Sequence, residues 1–280
     1  MGYYKIKSRA KVNLALNVVG KTNSLHKIES IISFLDLHDE ILIRKIKNKN
    51  HKIKFIGKFS YNIKSQNTVS ELLKNIDKKK LLKNKYQIII KKNIPSEAGL
   101  GGGSMNAASI ANFLIERKLI RIKKKEMIGI LNSIGSDVVL GIYSKNLILR
   151  SNNLIKTFSI KKKLYTLIVK PNFGCSTKKI YSKIKKFSKP RLNLVSKNMF
   201  GIKFLKKMKN DLELISLNQY PKLDTLKNFL EKLSKIEFVR MTGSGSAIIA
   251  YFSSAKKCEE AEKKVKKQFR NYWCKTSKTI

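Results

Sequence analysis

Glycine is concentrated at one place in a chain where it is otherwise scarce. Only 14 of the 280 residues are glycine, yet four of them lie within positions 99–103. An apolar run at 86–90 predicts a strand before this loop, and the run 106–115 predicts a helix after it. Glycine has no Cβ to keep a ligand away from the backbone, and the free N–H groups at a helix start attract anions. The segment 95–106 therefore predicts a cradle for a phosphate chain.

Other kinds of glycine loop fit this segment less well. The pattern G-x-x-x-x-G-K-[ST] is absent because no lysine follows these glycines. A dinucleotide loop would follow the first strand of a βαβ unit and would have an acid about 20 residues further on. Here a long basic region precedes the loop instead. A tight turn against a helix is the simpler alternative. It would not need so many glycines, because each glycine loses more conformational entropy on folding than another residue would.

Two charged side chains could complete a phosphoryl-transfer site. Lys11 lies in a period-two pattern that predicts a strand over 11–19, with Lys11 on its polar face. Asp137 follows Gly135, which is expected to end a helix. A lysine would stabilise the charge of the transferred group, and a carboxylate would orient the acceptor hydroxyl and take its proton. A solvated lysine and a helix N-cap are the simpler roles of Lys11 and Asp137, and the sequence leaves them open.

The charge of the chain is extreme and widely distributed. It has 61 Lys and Arg against 18 Asp and Glu, a net charge of +43, which would suit a nucleic-acid or membrane-surface protein. The lysines form no dominant block, and aromatic residues are not interleaved with them as stacking on bases would require. The abundance of lysine, isoleucine and asparagine favours drift toward A/T-rich codons. We therefore expect no specific nucleic-acid partner.

The few cysteines and histidines argue against a metal or disulfide framework. The three cysteines have no C-x-x-C spacing, and the three histidines form no ligand pair. A reduced, cytoplasmic setting is the default for such a chain. No apolar run approaches the roughly 18 residues of a membrane span, so we expect no membrane partner.

Strands and helices are mixed along the chain in an order that predicts an α+β fold of two domains. The predicted strands are 11–19, 28–35, 40–46, 52–56, 86–91, 146–150, 164–170, 236–241, 247–252 and 271–275. The predicted helices begin near 67 and at 106, and otherwise cover 125–133, 176–187, 200–217, 222–234 and 254–269. A small-residue turn at 242–246 is suited to close approach by substrate or backbone. We place the domain boundary near 155, giving domains 1–155 and 156–280.

Taken in chain order, these motifs resemble those of the GHMP kinases. The segments that carry the resemblance are 10–14, His26 with 34–40, 95–108, 135–138, 210–211 and 242–245. Any one of them would be weak alone, but together they cover nearly the whole chain. The triple glycine followed by Ser-Met-Asn, joined to Phe-Leu-Asp-Leu at 34–37, resembles the members that act on a cytidine-diphosphate-linked methylerythritol.

The resemblance implies both a fold and a reaction. The fold would be the two-lobed GHMP kinase fold, with an N-terminal nucleotide-binding lobe like domain 2 of ribosomal protein S5, a ferredoxin-like C-terminal lobe and an active site in the cleft. The reaction would be ATP-dependent phosphorylation of the 2-hydroxyl of that methylerythritol substrate, in non-mevalonate isoprenoid synthesis. Magnesium would accompany ATP, with Ser104 near it and no metal ligand fixed by the sequence. The sequence leaves monomer and homodimer open.

The resemblance also assigns roles residue by residue. Lys11 and Asp137 match the catalytic pair. The ATP-binding positions are Pro95, Ser96, Glu97, Ala98, Gly99, Leu100, Gly101, Gly102, Gly103, Ser104 and Met105, with Asn67 and Lys92 near the adenine end. The substrate-binding positions are Asn13, His26, Thr177 and Tyr181. Of these, His26 would hydrogen-bond the cytosine edge and Tyr181 would stack on its face.

Some positions depart from the family pattern. Leu25 stands where a tyrosine usually precedes the histidine, so we expect base binding to be weaker by roughly 1 kcal/mol. Met105 and Val139 replace a common serine and proline.

Two alternative functions remain. The first is a GHMP kinase for a mevalonate-type or homoserine substrate, against which His26 and 34–40 argue. The second is an inactive RNA-binding relative, which would not need Lys11, Asp137 or a complete glycine loop.

Overall fold

The computed structural model describes residues 2–22 and 25–280, which form two compact units. Unit 1 consists of the chain up to Lys11 with Leu37–Ser96 and Gly101–Ser144, and unit 2 of Val12–Asp36, Glu97–Leu100 and Lys145–Ile280. The chain therefore passes between the units several times, and the predicted domains 1–155 and 156–280 stay a prediction.

Strands and helices alternate throughout the described chain. The strands are β1 Tyr4–Lys21, β2 His26–Ile46, β3 Lys52–Ile56, β4 Lys85–Lys91, β5 Asn146–Leu149, β6 Ile155–Phe158, β7 Tyr165–Lys170, β8 Phe238–Met241, β9 Ile248–Phe252 and β10 Trp273–Lys278. The helices are α1 Thr68–Lys78, α2 Gly102–Glu116, α3 Lys124–Ile134, α4 Ser136–Tyr143, α5 Thr177–Ser182, α6 Ile202–Lys207, α7 Asp211–Gln219, α8 Pro221–Glu231 and α9 Ala255–Gln268, with a 3-10 turn at Lys197–Phe200.

Unit 1 contains four helices, α1 to α4, of which α2 is strongly apolar. The later part of β2 pairs antiparallel with β4, and β3 pairs parallel with β4. Helix α2 packs against α1 and α4, and α3 packs against both of those helices. Gly141 of α4 permits the closest of these approaches, since a Cβ there would lie 2.5 Å from the Cβ of Ala108 in α2. A larger residue at 141 would push α4 off α2.

Unit 2 is built on an antiparallel sheet in the order β10-β7-β9-β8. Helices α8 and α9 pack on this sheet and bury a continuous apolar core that includes Leu167, Leu226, Ile248 and Val265. The first part of β2 pairs with β5, and β5 pairs with β6. None of the described helices is long and apolar enough to cross a membrane.

Many predicted elements are confirmed, and for the helices the residues at their ends explain the bounds. Helix α1 begins after Asn67, whose side chain accepts hydrogen bonds from the N–H groups of Val69 and Ser70, and it buries Leu72 and Ile76 as predicted. Strand β3 has its predicted bounds, and α3 ends at Gly135 as predicted.

Several sequence predictions were wrong in instructive ways. The strands predicted at 28–35 and 40–46 are one strand, β2, because no glycine or proline interrupts it. The helix predicted over 200–217 is interrupted near Met208, and that predicted over 176–187 has only six residues. The short elements α4 and β6 were not predicted, since eight and four residues give little periodicity.

Strand β1 does not have the predicted polar face. Residues 11–18 are all buried, so neither face of this part of the strand meets water. Two of the polar side chains among them are engaged internally, as Lys11 forms an ion pair and Asn13 donates to the Ser30 hydroxyl, whereas the buried amide nitrogen of Asn17 has no hydrogen-bond partner within the described residues. A buried polar side chain is tolerated when it is paired in this way.

Gly99 allows the segment Glu97–Leu100 to pack closely on the small-residue turn 242–246 within unit 2. A Cβ at Gly99 would lie 2.0 Å from the carbonyl oxygen of Thr242, and the φ of Gly99 is +72°. The Thr242 hydroxyl donates to the Gly99 carbonyl at 3.1 Å. The predicted close approach at this turn is therefore confirmed.

We expect Gly99→Ala to lower the free energy of unfolding by about 2 kcal/mol or more, because it adds a clash and a strained φ. Urea unfolding at equilibrium measures this change. Gly129→Ala is the matched control, since Gly129 lies in α3 and a Cβ there meets nothing within 4 Å. It should raise stability by up to about 1 kcal/mol. Equal stabilities of the two variants would contradict the packing described for Gly99.

Candidate functional site

The predicted phosphate loop ends at an open helix N-terminus. Helix α2 begins at Gly102, and its N-cap, Gly101, has a φ of +68° and no side chain to cap the helix. The hydroxyl of Thr68 donates to the Gly103 carbonyl at 2.7 Å, which ties the start of α1 to this turn. Within the described residues, no side chain caps the first amides of α2. These amides can therefore donate to an anion.

Lys11 lies against this turn rather than in solvent. A Cβ at Gly101 would lie 2.8 Å from Cγ of Lys11, so the glycine leaves room for the lysine stem. Only 4% of the Lys11 side chain is exposed, and its Nζ is 3.0 Å from an oxygen of Asp137. The simpler interpretation of Lys11 as a solvated lysine was therefore wrong, and Lys11 links Gly101 to Asp137.

Asp137 is held in the first turn of α4 with its carboxylate accessible. The N-cap of α4 is Gly135, which makes no side-chain cap, so the alternative role of Asp137 as the N-cap was wrong. The side chain is 37% exposed although its partner lysine is buried. A ligand can therefore reach the carboxylate while the ammonium holds it in place.

Within the predicted loop, the segment Glu97–Leu100 belongs to unit 2 and is held there by backbone hydrogen bonds. The carbonyls of Glu97 and Ala98 accept from the N–H groups of Ser246 and Ala247 at 3.1 and 3.3 Å. The Glu97 carboxylate lies against Gly174, where a Cβ would be 2.0 Å from its oxygen. Pro95, Ala98 and Leu100 are buried, whereas Ser96 and Glu97 are exposed and Ser104 is half-buried.

The two remaining candidates for ATP binding have structural partners. Asn67 caps α1, with its oxygen accepting two backbone N–H groups and its amide donating to the carbonyls of Lys64 and Ser65. Lys92 is buried and forms an ion pair with the buried carboxylate of Asp39. Its Nζ lies 3.2 Å from where a Cβ of Gly102 would be, so the ammonium sits beside the first turn of α2.

Sequence reasoning missed the role of Asp39. The sequence signal is weak, because Asp39 lies between His38 and Glu40 and three residues after Asp36 in one strand. A buried acid needs donors, and Asp39 has four.

The predicted substrate residues lie together in unit 2 in two groups. Asn13 donates through its backbone N–H to the Thr242 hydroxyl at 3.1 Å, and Thr177 shares a hydrogen bond of 2.8 Å with Ser244. Both therefore contact the turn 242–246. His26 and Tyr181 form the second group, with ring centroids 5.0 Å apart.

A third ring next to His26 was not predicted. The centroid of Phe187 lies 6.4 Å from that of His26, and Phe187 is 48% exposed. Leu25, the departure from the family pattern, is 67% exposed. Burial and, secondarily, the charge of Lys21 lower the pKa of His26 below its usual value, which favours the neutral ring. A neutral imidazole offers one donor and one acceptor to a base edge.

A resident metal centre was not predicted, and the described ranges hold no cluster of three His, Cys, Asp or Glu side chains suited to one. Ser104, in the first turn of α2, offers a hydroxyl oxygen next to the open amides.

Comparisons with protein families and relatives show the family of this chain. The model for the GHMP kinase N-terminal domain matches residues 67–145, and the model for the GHMP kinase C-terminal domain matches residues 184–271. A protein of Pelagibacter ubique (strain HTCC1062) named 4-diphosphocytidyl-2-C-methyl-D-erythritol kinase is 56% identical over 281 residues, with 100% of both chains covered. A Clostridium tetani (strain Massachusetts / E88) protein of the same name is 31% identical over 99% of this chain and 100% of its own.

Solved structures share the fold at low sequence identity. The crystal structure of a 4-(cytidine 5'-diphospho)-2C-methyl-D-erythritol kinase has a TM-score of 0.77 at 19% identity, covering 98% of this chain and 99% of its own. Homoserine kinase from Cytophaga hutchinsonii has a TM-score of 0.72 at 16% identity, covering 100% and 95%. The predicted α+β fold class is confirmed. With two family models matched and a relative 56% identical over its full length, the chain belongs to the GHMP kinases.

Proposed function

We propose that this kinase transfers the γ-phosphoryl group of ATP to the 2-hydroxyl of 4-diphosphocytidyl-2-C-methyl-D-erythritol, a step of non-mevalonate isoprenoid synthesis. The observation that carries the proposal is the Lys11–Asp137 ion pair of 3.0 Å, set against the glycine turn that opens α2. The full-length relative at 56% identity bears the name of this activity.

The turn at the start of α2 binds the phosphates of ATP in this proposal. The amides of Gly102, Gly103 and Ser104 are at the positive end of the helix dipole, and glycine lets oxygens approach the backbone closely. Magnesium accompanies ATP, since it binds mainly through phosphate oxygens and keeps several waters. The Ser104 hydroxyl is the group of this chain that would help to hold that ion, which would neutralise phosphate charge.

Asp137 orients the acceptor hydroxyl and takes its proton. As the hydroxyl oxygen bonds to the γ-phosphorus, the bond from that phosphorus to the β,γ-bridging oxygen breaks and ADP leaves. In a loose transition state the proton leaves late, so orientation by Asp137 matters at least as much as its basicity. Lys11 fixes the carboxylate, and its positive charge offsets the negative charge that gathers there.

The rings of unit 2 bind the cytosine in this proposal. In its neutral form His26 hydrogen-bonds the base edge, while Tyr181 offers an aromatic face. Because Leu25 is aliphatic, the additional aromatic surface beside His26 comes from Phe187. Asn13 and Thr177, both in contact with the turn 242–246, bind the diphosphate-linked part of the substrate.

The alternatives are less well supported. A mevalonate-type or homoserine kinase would have no use for two aromatic rings beside His26. An inactive RNA-binding relative would not need the pair that the buried Lys11 forms with Asp137. The proposed partners are therefore the small molecules ATP and the cytidine-linked substrate, and the cytoplasmic location stays a prediction. Steady-state assays with ATP and the cytidine-linked substrate, run beside mevalonate and homoserine, test this choice, and turnover of only a control substrate would refute it.

Asp137→Asn should lower kcat by at least about 100-fold, because an amide cannot take the hydroxyl proton, with little change in the Kd for ATP. Stopped assays and calorimetry measure the two quantities. Asp77→Asn is the matched control, since Asp77 is also in unit 1, is 29% exposed and pairs with Lys85 at 2.5 Å. It should keep near-normal kcat, and a similar loss in both variants would refute the assigned role.

Gly102→Val should abolish ATP binding. Its Cβ would lie 3.0 Å from Ile94 Cγ2 and 3.2 Å from Lys92 Nζ, and its methyl groups would crowd the amides that receive phosphate. Calorimetry with ATP measures the effect. Gly129→Val, at a helical glycine with open space around it, should bind ATP as the unmodified protein does. Tight ATP binding by Gly102→Val would contradict the phosphate cradle.

Tyr181→Leu and Phe187→Leu should each raise the KM for the cytidine-linked substrate about 5- to 50-fold through loss of aromatic contact, with the KM for ATP unchanged. Tyr61→Leu, at a tyrosine 80% exposed in unit 1, is the control and should change neither KM. If Phe187→Leu has the same KM for the cytidine-linked substrate as Tyr61→Leu, Phe187 takes no part in base binding.

A further inference from the structure

One buried carboxylate joins both ends of the phosphate loop. Asp39 is 0% exposed and accepts hydrogen bonds from the N–H groups of Asn93 at 2.7 Å and Ile94 at 2.9 Å, just before the loop. It also accepts from the side-chain amide of Asn106 at 3.1 Å, at the end of the loop segment and near the start of α2, and forms an ion pair with Lys92. All five residues belong to unit 1.

This arrangement is costly unless every donor is in place. An ionised carboxylate withdrawn from water loses several kcal/mol of hydration, and it regains that only through well-placed donors. The two backbone amides at 93–94 can reach Asp39 only if the chain enters the loop in one conformation. Asn106 is 1% exposed and can reach it only if α2 starts at the observed place. Both ends of the loop are therefore fixed relative to each other.

The charge of Lys92 makes the same carboxylate important for the helix start. Its ammonium lies beside Gly102, where the positive end of the α2 dipole disfavours another cation. The ion pair with Asp39 compensates that repulsion and holds the ammonium in the interior, where only 5% of the Lys92 side chain is exposed. Without the carboxylate charge, the ammonium would be unpaired beside the turn that receives phosphate.

We propose that Asp39 is a positioning residue for ATP: it clamps the two ends of the phosphate loop and neutralises Lys92, so that the amides of 102–104 are preorganised. This rests on the proposed phosphate cradle. Asp39 is fully buried, so its effect passes through the loop. Preorganised amides bind phosphate without rearranging, and a loop free to move would lose affinity for ATP specifically.

Asp39→Asn tests the clamp because it keeps an oxygen for the backbone amides and removes the charge. We expect the Kd for ATP, measured by calorimetry without acceptor, to rise about tenfold, the size expected for loss of a charge-assisted contact. The KM for ATP should rise with it, while the KM for the cytidine-linked substrate stays within about twofold. A loss of folded protein alone would lower kcat and leave both KM values unchanged.

Glu29→Gln is the matched control in unit 2. Glu29 is also 0% exposed, and one of its oxygens accepts from the N–H groups of Arg191 at 2.8 Å and Leu192 at 3.2 Å. It anchors a different segment, so its loss should leave the Kd for ATP within about twofold of the unmodified protein. An equal rise in both variants would mean that any buried carboxylate matters, and would overturn the proposal.

Asn106→Ala keeps the test decisive if Asp39→Asn does not fold. It removes one donor and leaves the ion pair, so we expect the Kd for ATP to rise about threefold in a protein that still unfolds cooperatively. An unchanged Kd in either folded variant would overturn the clamp. Calorimetry with ATP needs no acceptor, so the Kd for ATP can be interpreted whatever the acceptor is. Failure of the unmodified protein to phosphorylate the cytidine-linked substrate would refute the proposed substrate but not the clamp.

Discussion

The contact between Lys11 and Asp137 depends on the absence of a side chain at position 101. The stem of Lys11 occupies the space that a Cβ of Gly101 would need, and the φ of +68° at Gly101 is one that glycine adopts without strain. The same residue opens α2 and frees its first amides. One glycine therefore brings together a cation from β1, an acid from α4 and the anion-binding end of α2. Catalysis of phosphoryl transfer consists mostly of such placement of charges.

The two lysines next to the phosphate loop differ from most lysines of the chain in being buried. The chain has 61 basic residues, and most lie on the surface, where their contribution is a diffuse positive field. Among the described lysines, Lys11, Lys92 and Lys170 are the buried ones. Lys11 and Lys92 pair with carboxylates next to the phosphate loop, and Lys170 donates to the carbonyls of Pro171 and Phe173. A withdrawn cation must be compensated, so each of these positions is fixed by its partner.

Local signals predicted much of the fold and part of the site. The capped start of α1 and the stop at Gly135 follow from backbone chemistry that acts within a few residues, and these predictions are confirmed. The helix after the glycine loop is also confirmed, although it begins at Gly102 rather than at 106. The burial of Lys11 was not predictable in the same way, because it depends on an acid 126 positions along the chain. The same holds for Asp39, whose donors come from residues 92–94 and 106, and for Phe187 beside His26. Contacts between residues distant in sequence produce no periodic pattern, so sequence periodicity cannot predict them.

A crystal structure with a non-hydrolysable ATP analogue and the cytidine-linked substrate tests the central claim most directly. The phosphate oxygens of the analogue should lie at hydrogen-bond distance from the amides of Gly102 and Gly103. The 2-hydroxyl oxygen of the substrate should lie about 2.6–3.2 Å from a carboxylate oxygen of Asp137. Phosphates bound away from the start of α2, or a 2-hydroxyl out of reach of Asp137, would contradict that claim.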